Sequence, residues 1–199
     1  MALDIILKLL SQLILFKAAG EAPGANIKPD PTPTPPKPVE PPKIDSKPII
    51  DWTDPNCKIS QYFTVKEAIW FPQWNRLATE ADGLTEAVKT SLLRTFIKMD
   101  RIRDYIGKPI RVHIAFRSRE YNTLIKGARN SAHLTGNAVD FSANMGLGSI
   151  GANCDKIKEL LIPVLEEWEL RLEDNGSGAT WVHIDRNPVP QGGNRFFKP

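Results

Sequence analysis

Residues 50–199 predict an α+β domain: a small antiparallel sheet with helices on its core face. Three observations predict it. Short apolar–polar alternations at Ile110–Phe116 and Asn137–Ser142 have the period of half-buried strands. A longer helical pattern runs ahead of them from Thr85 to Ile106. Two further alternating runs flank Asn175-Gly-Ser-Gly178, the composition of a hairpin turn. A segment of this length can form one core burying roughly 70% of the surface its unfolded chain exposes.

The elements follow in order. Thr64-Val-Lys-Glu67 reads as a capping box opening a short helix to about Trp70. The helix Thr85–Ile106 is stopped by Gly107 and Pro109. A strand over Ile110–Phe116 leads to a short helix near Glu120–Ile125 and a turn-rich loop, Gly127–Thr135. The strand Asn137–Ser142 precedes a glycine-rich loop and a helix expected from about Asp155 to Trp168. Strands Glu169–Asp174 and Thr180–Asp185 close the domain as a hairpin.

What precedes the domain has another character. Ten of the 17 prolines lie between Pro23 and Pro48. Such spacing removes backbone donors and restrains neighbouring residues, so residues 21–49 read as a tether, reaching on the order of 80 Å at ~3.1 Å per residue. In residues 1–20, Asp4, Lys8, Ser11 and Gln12 recur at helical spacing among Ile6, Leu9, Leu10, Leu13, Ile14 and Phe16. This predicts an amphipathic helix. It is either an export signal or signal anchor, or an interfacial or partner-binding helix, with Asp4 and Lys8 counting against a full membrane span.

Composition excludes several classes. With 26 Lys+Arg against 23 Asp+Glu the net charge is +3, too small and too spread for a nucleic-acid-binding face. Cys57 and Cys154 cannot supply a disulfide framework or a four-thiolate zinc site; they are one bridge in an exported protein, or two free thiols. Only three histidines are present, so a histidine-based site must use nearly all of them.

Strand alternation sorts core from site, because successive side chains point to opposite faces. It sets Val112, Ile114, Phe116, Val139, Phe141, Leu170, Leu172, Val182 and Ile184 toward the core. Opposite them fall Arg111, His113, Ala115 and Arg117, then Ala138, Asp140 and Ser142, then Arg171 and Glu173, and finally Trp181, His183 and Asp185. Arg117, Asp140, Glu173 and His183 thus converge on one face if the strands share a sheet. His133, in the loop seven residues before Asp140, completes a possible two-histidine, one-carboxylate zinc site with an open fourth position. On spacing alone, a capped loop histidine, a surface aspartate and a strand histidine that never meet remain the alternative.

Three motifs resolve that choice by resemblance. Phe116-Arg-Ser-Arg-Glu-Tyr-Asn122, Ser131-Ala-His-Leu-Thr-Gly-Asn-Ala-Val-Asp-Phe141 and Trp181-Val-His-Ile-Asp185 together resemble the M15 zinc peptidases. That family includes D-alanyl-D-alanine carboxypeptidases and bacteriophage cell-wall endopeptidases, and shares its zinc site with hedgehog signalling domains. The pattern S-x-H-x-x-G-x-A-x-D is matched at Ser131, His133, Gly136, Ala138 and Asp140. The resemblance implies a hedgehog/DD-peptidase-like fold over roughly Tyr62–Asp185, with His133, Asp140 and His183 as zinc ligands. It implies that Arg117 stabilises the oxyanion or holds substrate, and that Ser131 anchors a polar group of the substrate.

The sequence departs from the family at one place. Many members carry an acidic general base three residues before the last histidine, where this chain has Thr180, placed by alternation on the core face. Glu173 is the substitute expected, near Trp181 and diagonal to His183, within a glutamate's reach of an attacking water. Asp174 is its competitor if the hairpin register slips by one residue.

Other signals carry less. Gly146-Leu-Gly-Ser-Ile-Gly151 fits G-x-G-x-x-G, but the domain has room for only one such unit; a flexible loop beside Asp140, covering substrate, is expected instead. Ser131 and His133 lack a third orienting group for a hydrolytic pair. His113 reads as a structural strand histidine, Trp181 as packing that orients His183, and Glu120 as the alternative partner of Arg117. The expected protein is a zinc peptidase cutting the peptide stems of bacterial peptidoglycan. It would face the cell wall as an exported, membrane-anchored or virion-associated protein, with the N-terminal helix as anchor to membrane or virion. The rival is a non-catalytic zinc-containing module that binds the cell wall or serves a structural role.

Overall fold

The computed structural model describes residues 49–198. The expected N-terminal helix, and the tether but for Ile49, lie outside the described residues. Helix α1, Val65–Ile69, begins at the expected capping box, where the Thr64 N–H donates to the Glu67 carboxylate at 2.9 Å. Strands β1, Trp70–Phe71, and β2, Arg76–Leu77, then pair antiparallel around a 3₁₀ turn, Pro72–Trp74. Two-residue strands carry no readable period, so this hairpin was not among the expected elements.

Helix α2, Glu86–Ile106, is capped by Thr85, whose side chain accepts from the Val88 N–H. It ends where Gly107 takes a left-handed φ of 62°, as its Gly and Pro stop signals predicted. Val88, Leu92, Phe96, Met99, Ile102 and Ile106 recur three or four residues apart and are buried. Burying each such side chain stabilises the fold by about 1.5–3 kcal/mol. Strand β3, Ile110–Ile114, leads to helix α3, Arg119–Leu124, with Ser118 as its cap. Strand β4, Ala138–Ala143, precedes helix α4, Ile150–Leu161. Strands β5, Arg171–Glu173, β6, Val182–Asp185, and β7, Phe196–Phe197, complete the domain.

Five strands form one sheet in the order β3-β4-β6-β5-β7. All neighbours are antiparallel except β5 and β7, which are parallel. The fold is α+β as predicted, with this parallel edge strand added. Helices α2 and α4 supply core residues against the sheet face that carries Val139, Phe141, Leu172, Val182 and Ile184, which are all buried. No helix among the described residues is long and apolar enough to cross a membrane.

Three local expectations are corrected. Strand β3 does not alternate throughout: its register against β4 shifts between Val112 and Ile114, so Val112 faces Phe141 while Ile114 faces Asp140. Directly paired residues share a face, so the bulge turns Ile114 away from the core and leaves Ile110 and Val112 as the β3 residues packed against it. Helix α4 begins at Ile150 rather than Asp155, because Ser149 caps it by accepting from the Ala152 N–H at 3.1 Å. It stops at Leu161 rather than Trp168: Pro163, lacking an N–H, converts the chain to a 3₁₀ turn over Ile162–Val164.

The glycine-rich loop is pinned rather than loose. The Asn153 carboxamide accepts from the Met145 and Leu147 N–H groups and donates to the carbonyls of Leu147 and Ser149. Gly151, the last glycine of the G-x-G-x-x-G pattern, packs on the hairpin loop; a Cβ there would lie 2.6 Å from the Gly178 carbonyl oxygen. Close approach of two backbones explains this glycine, and no nucleotide is needed to account for it.

Candidate metal centre

Two of the three motifs bring their donors to a single point, His133 and Asp140 from one and His183 from the other. His133 sits in the 3₁₀ turn Ala132–Thr135, which ends at Gly136 with φ 69°. A Cβ at Gly136 would meet Leu92 Cγ at 2.9 Å, so only glycine lets this turn settle on α2. The buried Thr95 hydroxyl donates to the Gly136 carbonyl at 2.8 Å and fixes the turn from below. Asp140 and His183 lie directly opposite one another on β4 and β6. Pairing on a shared face brings their side chains together with no loop to adjust.

The geometry is tight. Asp140 Oδ1 lies 2.7 Å from His183 Nδ1 and 3.3 Å from His133 Nε2. The two ring nitrogens are 3.3 Å apart, and one donor atom from each of the three residues lies within 4.8 Å of the others. The other ring nitrogen of His133, Nδ1, is 2.8 Å from the Ala115 carbonyl oxygen. Donating there makes Nε2 the lone-pair nitrogen facing the cluster, the orientation a metal ligand requires. Two imidazoles and one carboxylate are a zinc donor set, so the residues present fit such an ion.

The electrostatics agree. Burial disfavours the Asp140 carboxylate, but His133 and His183 outweigh it and hold its pKa well below the usual carboxylate range. Burial likewise opposes charge on His183, yet hydrogen bonds to Asp140 and Asp185 push it up to about 9. Burial pushes His133 down, and the neighbouring Asp140 carboxylate offsets this only in part.

Around this point lies a cavity of about 370 Å³, lined by Arg117, Ser131, His133, Asp140, Glu173 and His183 among others. All six residues singled out from the sequence therefore border one space. The Arg117 guanidinium donates to Asp140 Oδ2 at 2.7 Å and pairs with that carboxylate rather than with Glu120. Its Nε is buried without a partner among the described residues.

Glu173 is half-buried, and burial raises its pKa. The register Arg171↔Asp185 and Leu172↔Ile184, continued one step, sets Glu173 opposite His183 itself rather than diagonal to it. The longer turn, with β6 starting at Val182, moves the pairing by two positions from the tight hairpin expected. Asp174 does not line the cavity: its N–H donates to the Phe197 carbonyl, and its carboxylate accepts from Gly176. Thr180 is exposed in the turn ahead of β6, so it belongs neither to the core face nor to the cavity. Trp181, expected as packing, is 42% exposed and lines the cavity rim. The glycine-rich loop contributes nothing to the lining, so it does not cover the site. His113 stays structural, 2.9 Å from the Ser142 hydroxyl, and both cysteines are free.

One pair and one aromatic ring escaped sequence reasoning. Arg171 grips Asp185 through bonds of 2.8 Å from Nε and from a terminal nitrogen, and Asp185 Oδ2 stands 3.6 Å from His183 Nε2. Alternation had put both on the site face, and the correct register would have paired them. Phe197 lines the cavity from β7 and lies under the Arg171 guanidinium at 4.4 Å; a two-residue strand left no signal.

Comparison with known proteins adds the family. No curated protein matches the chain. The family model described as Peptidase M15 matches residues 63–159, a span that contains Arg117, Ser131, His133 and Asp140 and stops short of Glu173 and His183. Over that span the domain is similar to the Peptidase M15 family, and the fold brings His183, from outside the span, to the matched His133 and Asp140.

Proposed function

We propose that this domain is a zinc-dependent peptidase that hydrolyses peptide bonds in the stem peptides of bacterial peptidoglycan. The observation that carries the proposal is the convergence of His133 Nε2, Asp140 Oδ1 and His183 Nδ1 in a cavity that also holds Glu173 and Arg117. His133, Asp140 and His183 would hold the ion, which when bound supplies a Lewis acid for the scissile carbonyl and an acidified water.

The chain's own residues do the rest. Glu173 takes a proton from the attacking water and passes it to the departing amine; its half-buried position raises its pKa and makes it a stronger base than an exposed glutamate. Arg117 keeps an unpaired donor at Nε and offers fixed positive charge where the carbonyl oxygen becomes negative. Ser131 borders the same cavity and anchors a polar group of the substrate backbone. Asp185 and Arg171 keep the His183 ring in place.

Digesting purified peptidoglycan and reading the products by mass spectrometry tests this, with and without a zinc chelator. New termini that vanish with the chelator support the peptidase and name the bond. Zinc retained with no product favours the second reading, a non-catalytic zinc module at the cell wall, which the exposed Thr180 in place of the family's acid motivates. The cell-wall-facing location, with residues 1–20 as anchor and 21–49 as tether, is part of the proposal. Deleting residues 1–48 should spare cleavage of soluble peptides and reduce cleavage of intact sacculi; equal activity on both would remove the anchoring role.

A further inference from the structure

A second cavity, of about 340 Å³, adjoins the metal centre. The two share Asn130, Ser131, Ala132 and Asn187, so they lie side by side along the loop before the His133 turn. Arg119 and Arg129 both line the second cavity, and no acidic side chain does. Arg119 is the first residue of α3 and Arg129 lies in the loop before the His133 turn; both are exposed. Neither guanidinium forms an ion pair or a side-chain hydrogen bond among the described residues.

This sets them apart from Arg76, Arg101, Arg171 and Arg195, each of which is matched to a carboxylate. Asn137 is already engaged, donating to Thr135 and to Asn187, and serves as wall rather than as a free donor. The metal cavity has a different character at its own rim, where Trp181 and Phe197 present aromatic surface. A peptide held across the metal centre therefore leaves an apolar, aromatic surface for a cationic one.

We propose that Arg119 and Arg129 form a carboxylate-binding subsite that receives an anionic group of the peptide substrate beside the scissile bond. Two guanidiniums in one concave, acid-free pocket recognise a carboxylate through charge-assisted and bidentate hydrogen bonds. The carboxylate is either the free C-terminus of the peptide or an acidic side chain along it. The first makes the protein a carboxypeptidase in preference; the second suits cleavage inside a longer chain. The proposal rests on the peptidase reading above, and deepens it.

The test uses the full chain loaded with zinc and carrying Glu173→Gln, so that bound peptide is not turned over. Three probes are titrated calorimetrically: acetyl-Lys-D-Ala-D-Ala as the free acid, the same peptide as its C-terminal amide, and the amide with glutamate in place of lysine. The same titrations are repeated with Arg119→Gln and Arg129→Gln added together, and with both changed to lysine. Either carboxylate probe should bind about tenfold more tightly than the neutral-ended amide. That advantage should vanish in the double glutamine variant and return in part with lysine. Whichever probe shows it identifies the source of the carboxylate.

Equal affinity for all three probes, or an advantage that survives the double glutamine change, overturns the subsite. Zinc content is measured on every sample. A carboxylate preference in protein that holds no zinc supports the subsite and overturns the peptidase reading, so the two fail separately.

Discussion

Arg171 and Asp185 face one another across β5 and β6, joined by two 2.8 Å hydrogen bonds, and the carboxylate so held reaches toward His183 Nε2. A buried anion behind a ligand histidine fixes the ring and raises its basicity. Asp185→Asn should therefore weaken zinc affinity about 10–100-fold while the fold persists. Competition with a chromogenic chelator measures it; unchanged affinity would reduce the pair to a structural contact.

Of the three carboxylates lining the cavity, Asp140 is a proposed ligand and Asp185 stands behind one, which leaves Glu173. Glu173→Gln keeps the shape and removes the base, so turnover should fall about 10²–10⁴-fold with zinc content unchanged. Asp174→Asn, outside the cavity, should be near wild type. If the two variants lost activity equally, Glu173 would not be the base.

Gly151 is tested by a single methyl group. The Cβ of Gly151→Ala would stand 2.6–2.8 Å from backbone atoms of Gly178, so helix α4 or the β5–β6 turn must shift. A loss of about 1–3 kcal/mol is expected, seen as a lower Tm. The shift would loosen the hairpin that carries Glu173 and His183, lowering kcat beyond the stability effect. An unchanged Tm would show that this packing is slack.

Acid stability offers a test away from the site. The hydrogen bond from Arg76, with help from Thr79, pulls the Asp82 carboxyl from 3.8 down to about 2 against the opposing effect of burial. A folded-state pKa below the unfolded one means the stabilisation is complete above about 4 and disappears as pH falls through about 2. Wild type should thus lose its advantage over Asp82→Asn across that window in denaturant titrations. A difference between the two that is independent of pH would rule out the ion pair as its origin.

Much of this centre was legible because periodicity is local. Alternation in β4 and β6 sent Val139, Phe141, Val182 and Ile184 inward and put Asp140 and His183 on one face of any sheet the strands share; the resemblance then joined them. The Ser131–Asp140 motif supplied His133, and Thr64 and Gly107 marked helix ends where caps form. What escaped depends on relations between strands. The β3 bulge reversed Ile114, because an inserted residue leaves no trace in a period-two pattern. The register of β5 on β6 is set by turn geometry, so the expected diagonal of Glu173 and His183 became a direct pairing. Strand β7 and its Phe197 were too short to announce themselves.

The central claim is that His133, Asp140 and His183 hold one zinc ion together. Metal analysis of the purified full chain, set beside His133→Ala, Asp140→Ala and His183→Ala, tests it most directly. One equivalent of zinc in the wild type and far less in each variant is the predicted result. Zinc retained in full by all three variants, or absent from zinc-supplemented wild type, would contradict it.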